Sequence, residues 1–220
     1  VDEHVRLIID QLAARRDDCA AMICCMSASE VMRLTRMGKF TMSGGASGPM
    51  KYLKKLKGGG SRRGGAPSAG AKQLKMLKRI PKILKYIPGT AQDLRAYFLT
   101  MQYWLAASED NLANMFRMLM ERYLPEQLAA EGVALESQPP KDYPEVGIYH
   151  PAMESRISED AQDLPTMQGT RGTVGVLVMR SYVLAGDTRH YDGVIGALEA
   201  QGLNVVVAFA AGLDARPAID

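Results

Sequence analysis

The sequence predicts an α/β protein: an N-terminal α/β layer, a central helical hairpin and a C-terminal βαβ unit, incomplete at both ends. Three observations predict it. Apolar residues recur at helical spacing over 3–16 and again over 91–124. A short apolar run, Cys19 to Met26, lies between two helical patterns. Two longer runs, "TVGVLVM" and "LNVVVAFA", flank a third helical pattern.

The elements follow in order. Val5, Ile8, Ile9 and Leu12 make one face of a first helix. "AAMICCM" reads as a buried strand, with Cys24 and Cys25 on opposite faces. Ser27 or Ser29 caps a second helix that runs to about Met37, with Gly38 as its C′ residue. A basic helix, "KQLKMLKRIPKILKYIP", is kinked by Pro81, and Leu74, Leu77, Leu84 and Ile87 form its apolar stripe.

Leu94, Phe98, Met101 and Leu105 share the next helix face, and Tyr103 and Trp104 read as core. Ser108, followed by Glu109 and Asp110, opens another helix whose face is Leu112, Met115, Phe116, Leu119 and Tyr123. Residues 125–170 are rich in proline and polar residues, with one strand candidate at Val146 to Tyr149. After the buried strand "TVGVLVM", a polar loop, "RSYVLAGDTRHYDG", leads into a helix carrying Tyr191, Val194, Ile195 and Leu198. Gly202 ends that helix. The resulting βαβ unit is flavodoxin-like, and it expects sheet neighbours from chain beyond these residues.

The domain reading has five parts. Residues 1–42 are the N-terminal α/β segment, and 43–70 a Gly/Ser/Lys-rich flexible insertion. Residues 71–130 are helical, 131–170 connect, and 171–220 begin a second α/β domain.

Charge is unevenly spread. Val31 to Gln92 holds 15 of the 27 Lys and Arg and none of the 24 acidic residues. Such a block marks a surface for anions. It carries no nucleic-acid reader motif and little aromatic interleaving, so nucleic acid is not the expected partner. Contact of the basic helix with an anionic membrane surface or an acidic partner subunit stays open as a peripheral role. Three clustered cysteines, Cys19, Cys24 and Cys25, form no disulfide framework and read as small buried hydrophobes. No CxxC or HxxxH spacing exists, so no metal site is expected. The glycine runs lack the GK[ST] ending of a phosphate loop, and no GxGxxG follows a strand. No apolar run approaches the roughly 18 residues of a membrane span. No signal peptide is evident, and a cytoplasmic protein is expected.

In open α/β sheets ligands bind beyond the C-terminal ends of the strands. "RSYVLAGDTRHYD" takes that position, which makes Arg180, Asp187, Arg189, His190 and Asp192 candidates. The alternative is that they cap helices or are solvated loop residues.

The segments "SASEVMRLTRMGKFTM", "IPKILKYIPG", "AQDLRAYFLTMQYWLAASEDNLANM" and "GTVGVLVMRSYVLAGDTRHYDGVIGALEAQGLNVVVAFAAGLDARPAI" together resemble one family, in the same order over essentially the whole chain. It is the family of large, porphyrin-binding H subunits of magnesium chelatase, related to the cobaltochelatase large subunit. The glycine-rich insertion is the least family-like part. Members are far longer, so the chain resembles an N-terminal piece, inactive alone.

The resemblance implies a protein that binds protoporphyrin IX for ATP-dependent insertion of Mg²⁺, towards chlorophyll or bacteriochlorophyll. Mg²⁺ is a substrate. ATP is used by an AAA+ ATPase subunit and its partner subunit, and no cofactor is held tightly by this piece. The methyltransferase that follows in the pathway is a further expected partner. The compartment is the bacterial cytoplasm, or the chloroplast stroma for a plant or alga, with the bacterial source favoured. No catalytic residue can be matched. An apolar disc with two propionates wants aromatic walls and a few cations. The substrate-binding candidates are therefore Arg180, Tyr182, Asp187, His190 and Tyr191. Two readings compete: the cobaltochelatase large subunit, which inserts Co²⁺ into a corrinoid precursor, and a non-catalytic module that docks partners or anions.

Overall fold

The computed structural model describes residues 3–25, 29–43, 79–166, 171–211 and 215–219. The chain divides into two compact units, one of Val1–Leu105 with Ala113–Pro140 and one of Ala106–Leu112 with Lys141–Asp220. The insertion expected at 43–70 falls almost wholly outside the described residues, as do Leu74 and Leu77.

The first unit opens with helix α1 (Glu3–Arg15). Its Val5, Ile9 and Leu12 pack on Met22, Cys24 and Val31, as the spacing requires, while Ile8 faces solvent. Strands β1 (Ala21–Met22), β2 (Arg36–Met37) and β3 (Phe40–Thr41) form a small antiparallel sheet in that order. The strand expected over 19–26 is thus confined to two residues. Burial raises the thiol pKa of both Cys24 and Cys25.

The helix expected to reach Met37 stops at Met32: α2 spans Ser29–Met32. Beyond it, Arg36 and Met37 pair with Met22 and Ala21. The buried Thr35 hydroxyl accepts from Cys24 N–H at 3.1 Å. Gly38, φ +55°, turns the β2–β3 hairpin instead of ending a helix. Both uses demand a left-handed residue, so the glycine alone does not distinguish them. A side chain there would also meet Asp93 at 2.7 Å.

Residues 79–84 are helical (α3), and Pro81 lies within that turn. Any kink there involves residues outside the described range. Helices α4 (Thr90–Ala106) and α5 (Glu109–Tyr123) follow, then α6 (Pro125–Ala130) with proline in its first turn. Met37, Phe40, Ile80, Leu84, Leu94, Tyr97 and Phe98 make the core. Ser108 caps α5 as expected, accepting from Asn111 N–H at 3.2 Å. Trp104 and Phe116 depart from the expected core: they are 47% and 59% exposed. Leu105 is also exposed, whereas Tyr103 is buried and donates its hydroxyl to Gln138 C=O.

At the open end of this helix pair sits a buried carboxylate. Asp93 accepts from Lys39 N–H at 2.9 Å, from the Arg122 guanidinium at 2.7 Å and from the Tyr123 hydroxyl at 3.2 Å. It joins the hairpin turn, the start of α4 and the end of α5. Burial pushes the Tyr123 phenol up to about 12.

The polar face of α5 has a structural use. Glu121 accepts from Ser137 N–H (2.8 Å) and its hydroxyl (2.6 Å), and Asn114 accepts from Gln138 N–H (2.9 Å). Within the second unit, Asn111 takes Lys141 N–H and gives to Lys141 C=O, at 2.8 and 2.9 Å. Residues without secondary structure thereby have their backbone groups satisfied by helix side chains.

The second unit is a four-stranded sheet, ordered β5-β4-β7-β6. Its strands are β4 (Val146–Tyr149), β5 (Ile157–Ser158), β6 (Thr173–Met179) and β7 (Asn204–Ala210). β6 and β7 are parallel, joined through α7 (Arg180–Leu184) and α8 (Arg189–Ala200). β4 runs antiparallel on the other side of β7, and β5 pairs with β4. So this chain itself extends the sheet beyond β7, by β4 directly and by β5 through β4.

Val178, Val205, Val207 and Phe209 pack with Tyr149, Val183 and Ile195 on one sheet face. Gly147 is required there, since a side chain would strike the Phe209 ring at 2.9 Å and Ser158 C=O at 2.6 Å. Gly202, φ +77°, ends α8 as expected. Two expectations are corrected. The stretch after β6 is not all loop: Val183 and Leu184 are buried by a helical turn that Gly186, φ +73°, terminates. And β6 is not buried throughout. Among the described residues it is an edge strand, with alternate residues exposed, of which Leu177 is 51% and Met179 52% accessible.

Candidate functional site

The C-terminal end of β6 collects the residues the sequence singles out. Three converge. The Tyr182 ring on α7 stands edge-on to His190 at 5.5 Å and to Tyr191 at 6.3 Å, and His190 lies 3.9 Å from Tyr191. α7 supplies one ring and the first turn of α8 the other two. The Tyr191 hydroxyl accepts from Met179 N–H at 3.2 Å, which anchors the cluster to the last residue of β6. Tyr182 is 43% exposed and His190 is exposed, so the cluster presents aromatic surface beside the open Met179 side chain.

The other candidates are differently employed. Arg180 donates from Nε to Pro144 C=O at 2.7 Å and from Nη2 to Tyr143 C=O at 3.1 Å. Burial lowers its pKa and Glu145 opposes that shift. It braces the approach to β4 against the start of α7. Asp187 is exposed in the turn before α8, and its N–H donates to Tyr182 C=O at 3.1 Å. Arg189 is exposed at the start of α8.

Asp192 belongs to a separate polar network. It accepts from the Tyr149 hydroxyl, from Arg156 Nη2 at 2.9 Å and from the Thr188 hydroxyl at 3.3 Å. Arg156, φ +59°, also lies over the Tyr149 ring at 5.6 Å. Burial, then the hydrogen bond to Asp192, raises the Tyr149 pKa. Beside it the buried His150 accepts at Nδ1 from Ala152 N–H, so Nε2 carries the proton that meets Glu199 at 3.2 Å. Sequence reasoning missed Tyr149, Arg156 and His150, because their partners on α8 lie 36 to 49 residues away.

Chemically, the cluster offers flat aromatic and thioether surface, with Arg189 the exposed cation at the start of the same helix. That suits a planar apolar ligand with anionic substituents. Among the described residues, no three His, Cys, Asp or Glu converge as metal ligands would.

Residues 101–220 match the family model described as CobN/Magnesium Chelatase, and residues 1–98 match one described as a domain of unknown function, DUF3479. Over its whole length the chain is 46% identical to the magnesium-chelatase H subunit of Cereibacter sphaeroides and 48% identical to that of Rhodobacter capsulatus. It spans 18% of each of those relatives. It is 34% identical, over 97% of its length, to the chloroplastic magnesium-chelatase H subunit of Oryza sativa subsp. indica, of which it spans 16%. Among solved structures, the catalytic subunit of cobaltochelatase from Mycobacterium tuberculosis aligns with a TM-score of 0.37 at 20% identity, over 53% of this chain and 8% of that one.

Proposed function

The chain belongs to the CobN/magnesium chelatase family, and on that premise we propose that it is part of the porphyrin-binding H subunit of a magnesium chelatase. What supports this is the match to two bacterial H subunits along the whole chain at 46% and 48% identity. The substrates are protoporphyrin IX and Mg²⁺. Mg²⁺ holds its waters tightly, and a flat macrocycle resists deformation, so the insertion is driven by ATP hydrolysis on partner subunits. The compartment is the bacterial cytoplasm. The βαβ unit belongs to a flavodoxin-like sheet, and Tyr182, His190 and Tyr191 at the end of β6 contact the porphyrin ring. Arg180 holds the α7 end of that surface in place, and Asp187 fixes the turn between α7 and α8.

The test is porphyrin affinity of the full-length polypeptide, read by fluorescence quenching with a soluble protoporphyrin analogue. Losing one aromatic contact costs about 1 kcal/mol, so Tyr182→Ala and His190→Ala are each expected to weaken binding about five- to tenfold. Unchanged affinity in both variants would remove these residues from the site. The family model covers both chelatase types, so insertion of Co²⁺ into a corrinoid precursor is the competing activity.

A further inference from the structure

Strand β6 is chemically a central strand in an edge position. Its sequence, Thr-Val-Gly-Val-Leu-Val-Met, has no charge and no proline, and its seven residues pair with β7 without a bulge. Natural edge strands are protected by those very devices. Parallel strands that are apolar on both faces are normally covered on both. Here one face carries Val178 into the core, while Gly175, Leu177 and Met179 on the other are open. Among the described residues nothing pairs with the outer edge of β6.

Gly175 gives a second, independent indication. Its φ is not in the left-handed region, and a side chain there would meet nothing within 4 Å. Neither backbone conformation nor present packing calls for glycine, which weakens a strand interior. Such a glycine fits a site where another element approaches the strand closely.

We propose that a further stretch of the same, longer polypeptide supplies a parallel strand to the free edge of β6 and an apolar element over Gly175, Leu177 and Met179. This rests on the reading above, that the chain is one part of a longer chelatase polypeptide; the relatives it matches leave ample chain for it, since the chain spans 18% of them. A second copy is the poorer occupant: a two-fold axis would bring two β6 edges together antiparallel, whereas the uncharged strand, apolar after Thr173, suits a parallel, doubly covered sheet. With that strand added, the crossover from β6 to β7 leaves on one side and the new connection on the other. The Tyr182–His190–Tyr191 cluster then lines a crevice at the point where strand order reverses, the place where such sheets bind ligands.

Hydrogen exchange on the full-length polypeptide tests this. Amides of Thr173–Met179 are expected to be protected to within about tenfold of those of Asn204–Ala210. Gly175→Val is expected to lower β6 protection by about a hundredfold, and the milder Gly175→Ala by less. Fast exchange of alternate β6 amides in the wild type, or a Gly175→Val variant with equal or greater protection, would overturn the proposal. So would protection that disappears on dilution, which would assign the edge to a second copy. Porphyrin affinity of the same preparation is a separate reading: a protected β6 without porphyrin binding refutes the proposed function and not the strand.

Discussion

Removing the Asp93 carboxylate should destabilise the first unit more than any other single polar change in it. Asp93 is 8% exposed and holds three donors. In Asp93→Ala the Lys39 N–H loses its acceptor in a part-buried place, at about 1–2 kcal/mol. The Tyr123 hydroxyl loses a bond, at about 1 kcal/mol. Arg122 is 34% exposed and can turn to water, so its share is held to about 1 kcal/mol. The expected loss is about 3 kcal/mol, or a fall in Tm of roughly 6–12 °C for a chain of this size. Asp93→Asn keeps the shape and one acceptor, and should lose about half as much. Trp104, the only tryptophan, lies on the same helix and reports unfolding of this unit in urea. Gly38→Ala completes a cycle: its 2.7 Å clash with the carboxylate vanishes in the Asp93→Ala background, so the double variant should lose less than the sum. A loss below about 1 kcal/mol for Asp93→Ala, or strict additivity in the cycle, would refute this account of the hub.

Other expectations follow from the same contacts. Asn111→Ala leaves both backbone groups of Lys141 unpaired and should cost about 2 kcal/mol in the second unit, seen as faster amide exchange at Lys141. The Tyr123 phenol, raised from 10.0 to about 12, contributes stability that is whole below pH 10 and lost as pH climbs through about 12. Burial moves Tyr97 and Tyr103 the same way. Urea midpoints should therefore fall from pH 10 upward, and Tyr123→Phe should flatten part of that fall, by less than the roughly 2.7 kcal/mol that a move from 10.0 to about 12 represents, because the ring is partly solvated. A variant with the unaltered slope would exclude Tyr123 as a cause.

Local patterns were readable where one element's own residues decide the outcome. The spacing of Val5, Ile9 and Leu12, the Ser108 cap, the runs that become β6 and β7, and Gly202 all behave as their local chemistry dictates. Reading fails where a distant partner decides. Residues 33–37 leave the helix because Met22 offers a strand to pair with, and Gly38 serves a hairpin as readily as a helix end. Arg180 stands at the strand end as its position predicts, but its bonds to two carbonyls 36 and 37 residues back have no local signal. Asn111, Asn114 and Glu121 clasp backbone 16 to 30 residues on, which no local pattern announces. The aromatic cluster lay between these cases: the strand end could be located, but the contact of Tyr182 with His190 depends on the turn at Gly186.

The most direct test of the central claim is metal insertion by the full-length polypeptide, combined with the ATPase subunit of a magnesium chelatase and its partner subunit, ATP and protoporphyrin IX. Product fluorescence is followed with Mg²⁺, and Co²⁺ is offered in parallel with a corrinoid precursor. The account predicts ATP-dependent formation of the magnesium porphyrin and no cobalt-corrinoid product. Cobalt insertion with magnesium inert would contradict it.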